Sequence, residues 1–363
     1  MVQDDKGFRY PVIDHENCIN CGACDRVCAK ANKPLAANSL PESFGLYAVD
    51  EELRRNSSSG GIFSLLARCI LKQNGVVIGA AFSADYKEVH HIVVADETGL
   101  ASLRGAKYLQ SNMGDIFPKV KENLVAGKQV LFSGTPCQVA GLKAYLGKEY
   151  ENLLCVDLVC HGVPSPAIWK KYCNELEDKF KGKLAKVNFR HKKYGWKRFG
   201  LGIEYNGQKI RFRAKEVDPY MRLFLRNYIL RPSCYACQHK TLYRKSDITI
   251  ADFWGVAQVA PTLHDGKGTS LVMLHNEKGK AYLNCIKEYV MLEKVDSLLA
   301  VKHNSAAIMA VSRPTNADNF WNEVTLHTVE DLADKYCPIA IKRKIKLAIA
   351  QSFWYKIIRG GQD

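Results

Sequence analysis

Four cysteines fall within the stretch CINCGACDRVC, at Cys18, Cys21, Cys24 and Cys28. The C-x2-C-x2-C spacing can wrap three corners of a [4Fe–4S] cube, because short loops with Gly22 between ligands let backbone amides face the sulfides. Zinc is expected instead to use two separate C-x2-C knuckles. Three fates are open to Cys28: it completes its own cube, serves a partner or stays unligated. Completion of the same cluster is the assignment taken.

A second set lies downstream. SGTPCQ ends one apolar strand pattern with Cys137, DLVCHG ends another with Cys160, and CYAC supplies Cys234 and Cys237. Adjacent parallel strands place their C-terminal ends side by side, where α/β sheets bind ligands. Two strand-end thiols and a C-x2-C loop make four converging soft donors, suited to an iron–sulfur cluster or to zinc. Cys69, Cys155, Cys173, Cys285 and Cys337 sit in apolar contexts and read as core filler.

These donors need a scaffold. The chain has 363 residues and 47% hydrophobic composition, enough for one large α/β body and a small module. Its 13 cysteines are an odd number, and the charged start MVQDDKGFRY holds no apolar signal core, so a cytoplasmic metal or redox protein is expected rather than a secreted disulfide scaffold. No apolar run approaches the roughly 18 residues that cross a bilayer. The net charge of +15 calls for a partner, but no zinc-finger, RNP or helix-turn-helix pattern supports nucleic acid.

Strand-like and helix-like patterns alternate through GVVIGAAF, GDIFPKVKENLVAG, QVLFSG, QVAGLKAYLG, NLLCVDLVC and PAIWKKYCNELEDKF. The expected fold is therefore α/β, a mostly parallel sheet with flanking helices. An antiparallel hairpin, FGLGIEYNGQKIRFRA, is inserted with Asn206-Gly207 at its turn. The expected units are a ferredoxin-like [4Fe–4S] module at 1–35, a larger α/β body at 36–335 that carries the second cysteine set, and a basic amphipathic helix at 336–363. In that last piece Ile341, Ile345, Ile349, Phe353 and Ile357 form one stripe beside Lys342, Arg343, Lys344 and Lys346. It reads either as a helix on an anionic membrane surface or as one docked on its own body.

The stretches SSSGGIF, LRGAKYLQS, VLFSGTPCQVAGL, DLVCHGVPSP, CYACQHKTLYRKSDITIADFWG and GTSLVML together resemble the β-subunit family of coenzyme F420 hydrogenases and dehydrogenases, over roughly residues 8–320. The resemblance implies flavoproteins that couple FAD to a [4Fe–4S] cluster. Archaeal members pass electrons to the deazaflavin F420, and many bacterial relatives occur among polysaccharide-biosynthesis proteins. It implies that Cys137, Cys160, Cys234 and Cys237 ligate the cluster, which favours iron–sulfur over zinc. Longer relatives carry two ferredoxin runs; the run here is similar to the second, and the first is expected to be absent.

A flavin site can also be argued from the residues. Ser59, Gly60 and Gly61 precede an amphipathic helix, with Ser59 as the expected N-cap; free amides at such a start bind phosphate. An ordinary capped helix is the plainer alternative. Arg104 and Lys107 are cations suited to a pyrophosphate, and Gly134, Thr135 and Gln138 flank Cys137 where they could hold the flavin ring. His161, beside a cluster ligand, and Asp247 and Asp252, after the C-x2-C loop, are candidates for proton handling, against a plain role in loop hydrogen bonding. The basic segment NFRHKKYGWKRFG reads either as a solvated loop or as a rest for a phosphorylated substrate.

The expected function is an iron–sulfur flavoprotein oxidoreductase. Electrons would come from a ferredoxin-like donor and leave to a small-molecule acceptor, sugar-linked in one version. The alternatives are an electron-transfer subunit of a larger complex and a true coenzyme F420 oxidoreductase.

Overall fold

The strands carry the site, so they are given first. The computed structural model describes residues 1–28, 39–206 and 210–339. Within these, β1 (Val2–Gln3) and β2 (Arg9–Tyr10) form a short hairpin. The main sheet contains β3 (Glu42–Ala48), β4 (Val76–Phe82), β5 (Val89–Val94), β6 (Ser111–Asn112), β7 (Val130–Gly134) and β8 (Leu153–Leu158). A separate sheet holds β9 (Leu184–His191), β10 (Gly200–Tyr205) and β11 (Arg211–Ala214), and the main sheet is completed by β12 (Ile248–Asp252), β13 (Ser270–Leu274) and β14 (Val290–Val295).

The main sheet runs in the order β14-β3-β13-β12-β8-β7-β4-β5-β6. Its centre, β12-β8-β7-β4, is parallel. The wings turn antiparallel at β12-β13-β3-β14 and at β4-β5. Central strands covered on both faces read as continuous apolar runs, which is why VLFSG and LLCVDL are so uniformly hydrophobic. Their alternate residues serve two cores. Val77, Leu131 and Leu154 meet helix Ile62–Leu71, whereas Ile78, Phe132 and Cys155 meet helices Ile116–Val125 and Pro136–Leu146.

The α/β sheet, its flanking helices and the separate antiparallel piece match expectation. β9 enlarges that piece: NFRH, read above as the start of a basic loop, pairs with β10. Residues 207–209 lie outside the described residues, as does the C-terminal stripe from 340 onwards, so neither the turn at Gly207 nor the basic tail can be placed. Cys69 and Cys285 are not simple filler. They form a disulfide, because helices Ile62–Leu71 and Glu277–Ile286 lie together on one sheet face and bring residues 216 apart into contact.

The first ten residues belong to the large body. Phe8 is fully buried, and the Ser165 hydroxyl donates to the Lys6 carbonyl at 2.6 Å. The cysteine-rich stretch that follows is held differently: its short helix, Ala23–Val27, buries none of its residues.

Candidate functional site

At the C-terminal ends of β7, β8 and β12 the sheet opens into a cavity of about 990 Å³, at the upper end of the range for small-molecule sites. Cys137, Cys234, Cys237, Gly61, Arg104 and Lys107 all line it. Ser59, Gly134, Thr135, Gln138 and Asp252 share the wall. Segments far apart in the chain are thus gathered by the parallel centre of the sheet.

On one side stands the thiol set. Cys137 begins helix Pro136–Leu146 directly after β7, with Thr135 Oγ1 3.1 Å from its sulfur. Cys160 follows β8 outside the lining, within electrostatic reach of Cys137, Cys234 and Cys237. The Val163 amide donates to Cys234 Sγ at 3.4 Å. Burial pushes the Cys160 thiol up to about 12 and Cys234 to about 11, and raises Cys137 as well. Such thiols ionise only against a compensating positive charge. Lys240 supplies one: its ammonium donates to the Cys160 and His161 carbonyls and faces the Cys160, Cys234 and Cys237 sulfurs, although burial lowers its pKa. Among the described residues no three His, Cys, Asp or Glu side chains close around a single metal ion. A cube holds its ligands farther apart than one ion does, and an all-sulfur donor set with a cation beside it fits such a cluster in kind.

The N-terminal thiols contrast with this. Cys18, Cys21, Cys24 and Cys28 are exposed and not in disulfides. Gly22 takes φ 65°, a left-handed value that favours glycine, as N-cap of Ala23–Val27. That helix lies beside helix Pro136–Leu146, which carries Cys137.

On the other side stands the loop–helix start. Ser59 is not its cap: the N-cap is Gly61, at φ 89°, and the Ser59 hydroxyl donates to the Thr269 carbonyl at 2.8 Å. A Cβ on Gly61 would sit 2.4 Å from Leu53, and one on Gly60 would sit 2.6 Å from the Leu46 carbonyl oxygen. Gly60 therefore packs the loop onto the sheet and does not line the cavity. Gly61 has no side chain to cap the helix, and among the described residues no side chain accepts from its first amides. Lys192 fixes the loop by donating to the Arg54 and Ser59 carbonyls at 3.0 and 3.1 Å.

Arg104 donates to Ser64 Oγ at 3.2 Å and pairs with Glu97 at 2.6 Å. The Lys107 ammonium rests on the Ser102 and Arg104 carbonyls, and burial lowers its pKa to about 7. Gln138 is already engaged: its Oε1 accepts from the Thr135 amide at 2.8 Å, closing a capping box.

Two proton-handling candidates fall outside the cavity. Asp247 is 2% exposed and accepts from the Cys155 amide at 2.6 Å and from Asn276 at 2.7 Å, pinning the start of β12. His161 Nε2 is 2.8 Å from Asn227 Oδ1, and burial lowers its pKa. Asp252 does reach the cavity, but it is bound by Arg190 at 2.7 Å and the Trp196 indole at 2.9 Å. All three are engaged in hydrogen bonds or ion pairs in this structure. Arg190, Lys192 and Trp196 of the basic segment turn inward on this framework, leaving Lys193 and Lys197 outside it.

His91 escaped the sequence reading. It is 6% exposed, lines the cavity and is held near pKa 4 by burial. Its Nε2 faces the Ser133 carbonyl at 3.1 Å, which requires a proton there, so Nδ1 accepts from Ser111 Oγ at 2.7 Å. The HH pair in β5 carried the only hint, and nothing local told which histidine faces inward.

A family model for the C-terminal part of the coenzyme F420 hydrogenase/dehydrogenase β-subunit matches residues 127–297. Among solved structures, a chain of the F420-reducing [NiFe] hydrogenase complex from Methanosarcina barkeri, determined in a xenon derivatization, aligns at 15% identity and a TM-score of 0.50. The alignment covers 81% of this chain and 96% of that one, and shows a shared fold. No curated protein matches the chain.

Proposed function

Because residues 127–297 match the family model of the coenzyme F420 hydrogenase/dehydrogenase β-subunit, we propose that this protein is an electron-transfer oxidoreductase that uses FAD and [4Fe–4S] clusters between a ferredoxin-like donor and an organic acceptor. One observation carries the reading: Cys137, Cys234 and Cys237 open on the same cavity as the Gly61 helix start, Arg104 and Lys107. When bound, a flavin supplies the exchange between one-electron and two-electron chemistry.

The chain's own residues do the rest. Cys137, Cys160, Cys234 and Cys237 would hold a cluster, with Lys240 offsetting part of its negative charge. Arg104, Lys107 and the uncapped amides after Gly61 would hold the phosphates of FAD, since helix starts and nearby cations favour anions. The Ser111–His91 pair offers the cavity a hydroxyl oxygen whose proton is directed to His91, so it would accept from an N–H donor of a bound ring. Asp252, locked by Arg190 and Trp196, keeps the wall rigid.

Cys18, Cys21, Cys24 and Cys28 would form the entry cluster, exposed to a donor. A second reading, an electron-transfer subunit of a larger assembly, is favoured by the apolar residues around that run: Ile19 is 84% exposed and Val12 63%. An acceptor that is F420 itself or a sugar-linked precursor is compatible with either.

Anaerobic purification with iron and flavin analysis tests the proposal. The expected result is one flavin and about eight irons, the content of two four-cysteine cubes. A chain with neither, unable to take up either, overturns it. Turnover of small acceptors by the isolated chain separates an enzyme from a pure transfer subunit.

A further inference from the structure

The cavity wall has a marked charge imbalance. Asp252 is the one carboxylate among its described residues, and Arg190 already neutralises it. Three cations line it: Arg104, which Glu97 pairs at 2.6 Å from outside the wall, Lys107 and Arg231. The first two sit together at the loop–helix start. Arg231 stands apart on the thiol side, where its carbonyl accepts from the Cys234 amide at 2.9 Å.

Arg231 is held but not neutralised. Its guanidinium carbon lies 4.1 Å from the centroid of Tyr10, which also lines the cavity. Nη2 donates to the Arg9 carbonyl at 2.9 Å, and among the described residues the buried Nη1 has no hydrogen-bond partner. Among the described residues no carboxylate pairs with it. A guanidinium clamped on an aromatic face loses little freedom on binding an oxyanion, and an unmatched buried donor costs free energy until something accepts from it. A pure structural pin for the β1–β2 hairpin would not require a charged group without a carboxylate partner at the cavity wall.

We propose that Arg231 recognises an oxyanion, a carboxylate or phosphate, on the organic electron acceptor, at a subsite separate from the Arg104–Lys107 end. This rests on the function proposed above and narrows its acceptor to an anionic molecule. Tyr10 fixes the guanidinium, so the N-terminal hairpin helps to build the subsite and links its integrity to the segment that leads into the Cys18–Cys28 run.

The test is equilibrium dialysis of 1,4-naphthoquinone-2-sulfonate and of uncharged 1,4-naphthoquinone against the full chain, with and without FAD. Variants are Arg231→Gln, Arg231→Lys and Arg104→Ala. Loss of a charge-assisted contact should weaken the sulfonate about 10- to 100-fold relative to the uncharged quinone in Arg231→Gln. Arg231→Lys should recover part of that, and FAD affinity should fall only in Arg104→Ala. Competition by inorganic phosphate or by succinate supports the subsite, and the stronger competitor names the group. If Arg231→Gln weakens FAD as much as the sulfonate, or changes neither ratio while neither competitor acts, the subsite is overturned. A chain that binds no flavin yet discriminates the sulfonate through Arg231 would refute the flavoprotein reading and keep the anion site.

Discussion

The two cysteine sets are alike in chemistry and opposite in setting. Cys137, Cys160, Cys234 and Cys237 hang from strand ends and a loop fixed by buried contacts, and the burial raises the pKa of three of them. Cys18, Cys21, Cys24 and Cys28 lie on a stretch whose helix buries nothing. The first set is positioned by the fold before any ligand arrives. The second is local in sequence, and its order would come chiefly from what it binds, as metal binding and folding are coupled in small modules.

The largest expected effect sharpens that difference. Serine at any one of the four interior positions should remove about four irons, the content of one cube, and lower the thermal midpoint of the large body. Serine at Cys18 or Cys21 should remove a similar amount of iron and leave that midpoint in place. Iron analysis and calorimetry on the same samples decide it. Equal midpoint losses at both sets would break the comparison.

A smaller effect probes the framework alone. Arg190→Met leaves Asp252 partly buried without its cation, and breaking such a pair costs about 3–5 kcal/mol. Arg26→Met, on the exposed run, should stay within about 0.5 kcal/mol. Denaturant unfolding gives both values, and similar costs would show that the exposed run is held as firmly as the interior.

The smallest effect is a proton. Lys107 has a folded pKa of about 7, against the ordinary lysine value of 10.5. Between these values the unfolded chain binds more protons, so this group makes stability rise with pH across that window. An anion beside Lys107 restores its charge. FAD affinity should therefore be greatest below pH 7 and fall as pH rises through 7, by at most about tenfold per unit for one proton. Lys107→Met should flatten the profile in calorimetric titrations. An unchanged slope would remove Lys107 from the phosphate end.

Much of this was legible in one dimension, because some signals are local. The C-x2-C-x2-C run needs only neighbouring residues, and the apolar strands β7 and β8 announce a doubly covered sheet. Parallel strand ends meet by topology, so the convergence of Cys137 with the CYAC loop followed from the strand pattern. Arg104 and Lys107 were found because cations and glycines cluster in LRGAKY.

What stayed hidden depends on distant partners. Ser59 has the right chemistry for a cap, yet close packing of the loop against Leu53 and Ala48 puts the turn at Gly61 and turns Ser59 towards Thr269. Asp252 looks reactive until Arg190, 62 residues away, is seen to hold it. Tyr10 and Arg231 are far apart in the chain, and only the docking of the hairpin stacks them. The sequence by itself determined which chemistries were present, since residue type and short spacing carry that information. The tertiary structure decided which groups remain available to a ligand, because availability is set by burial and by hydrogen-bond partners that arrive from elsewhere in the chain.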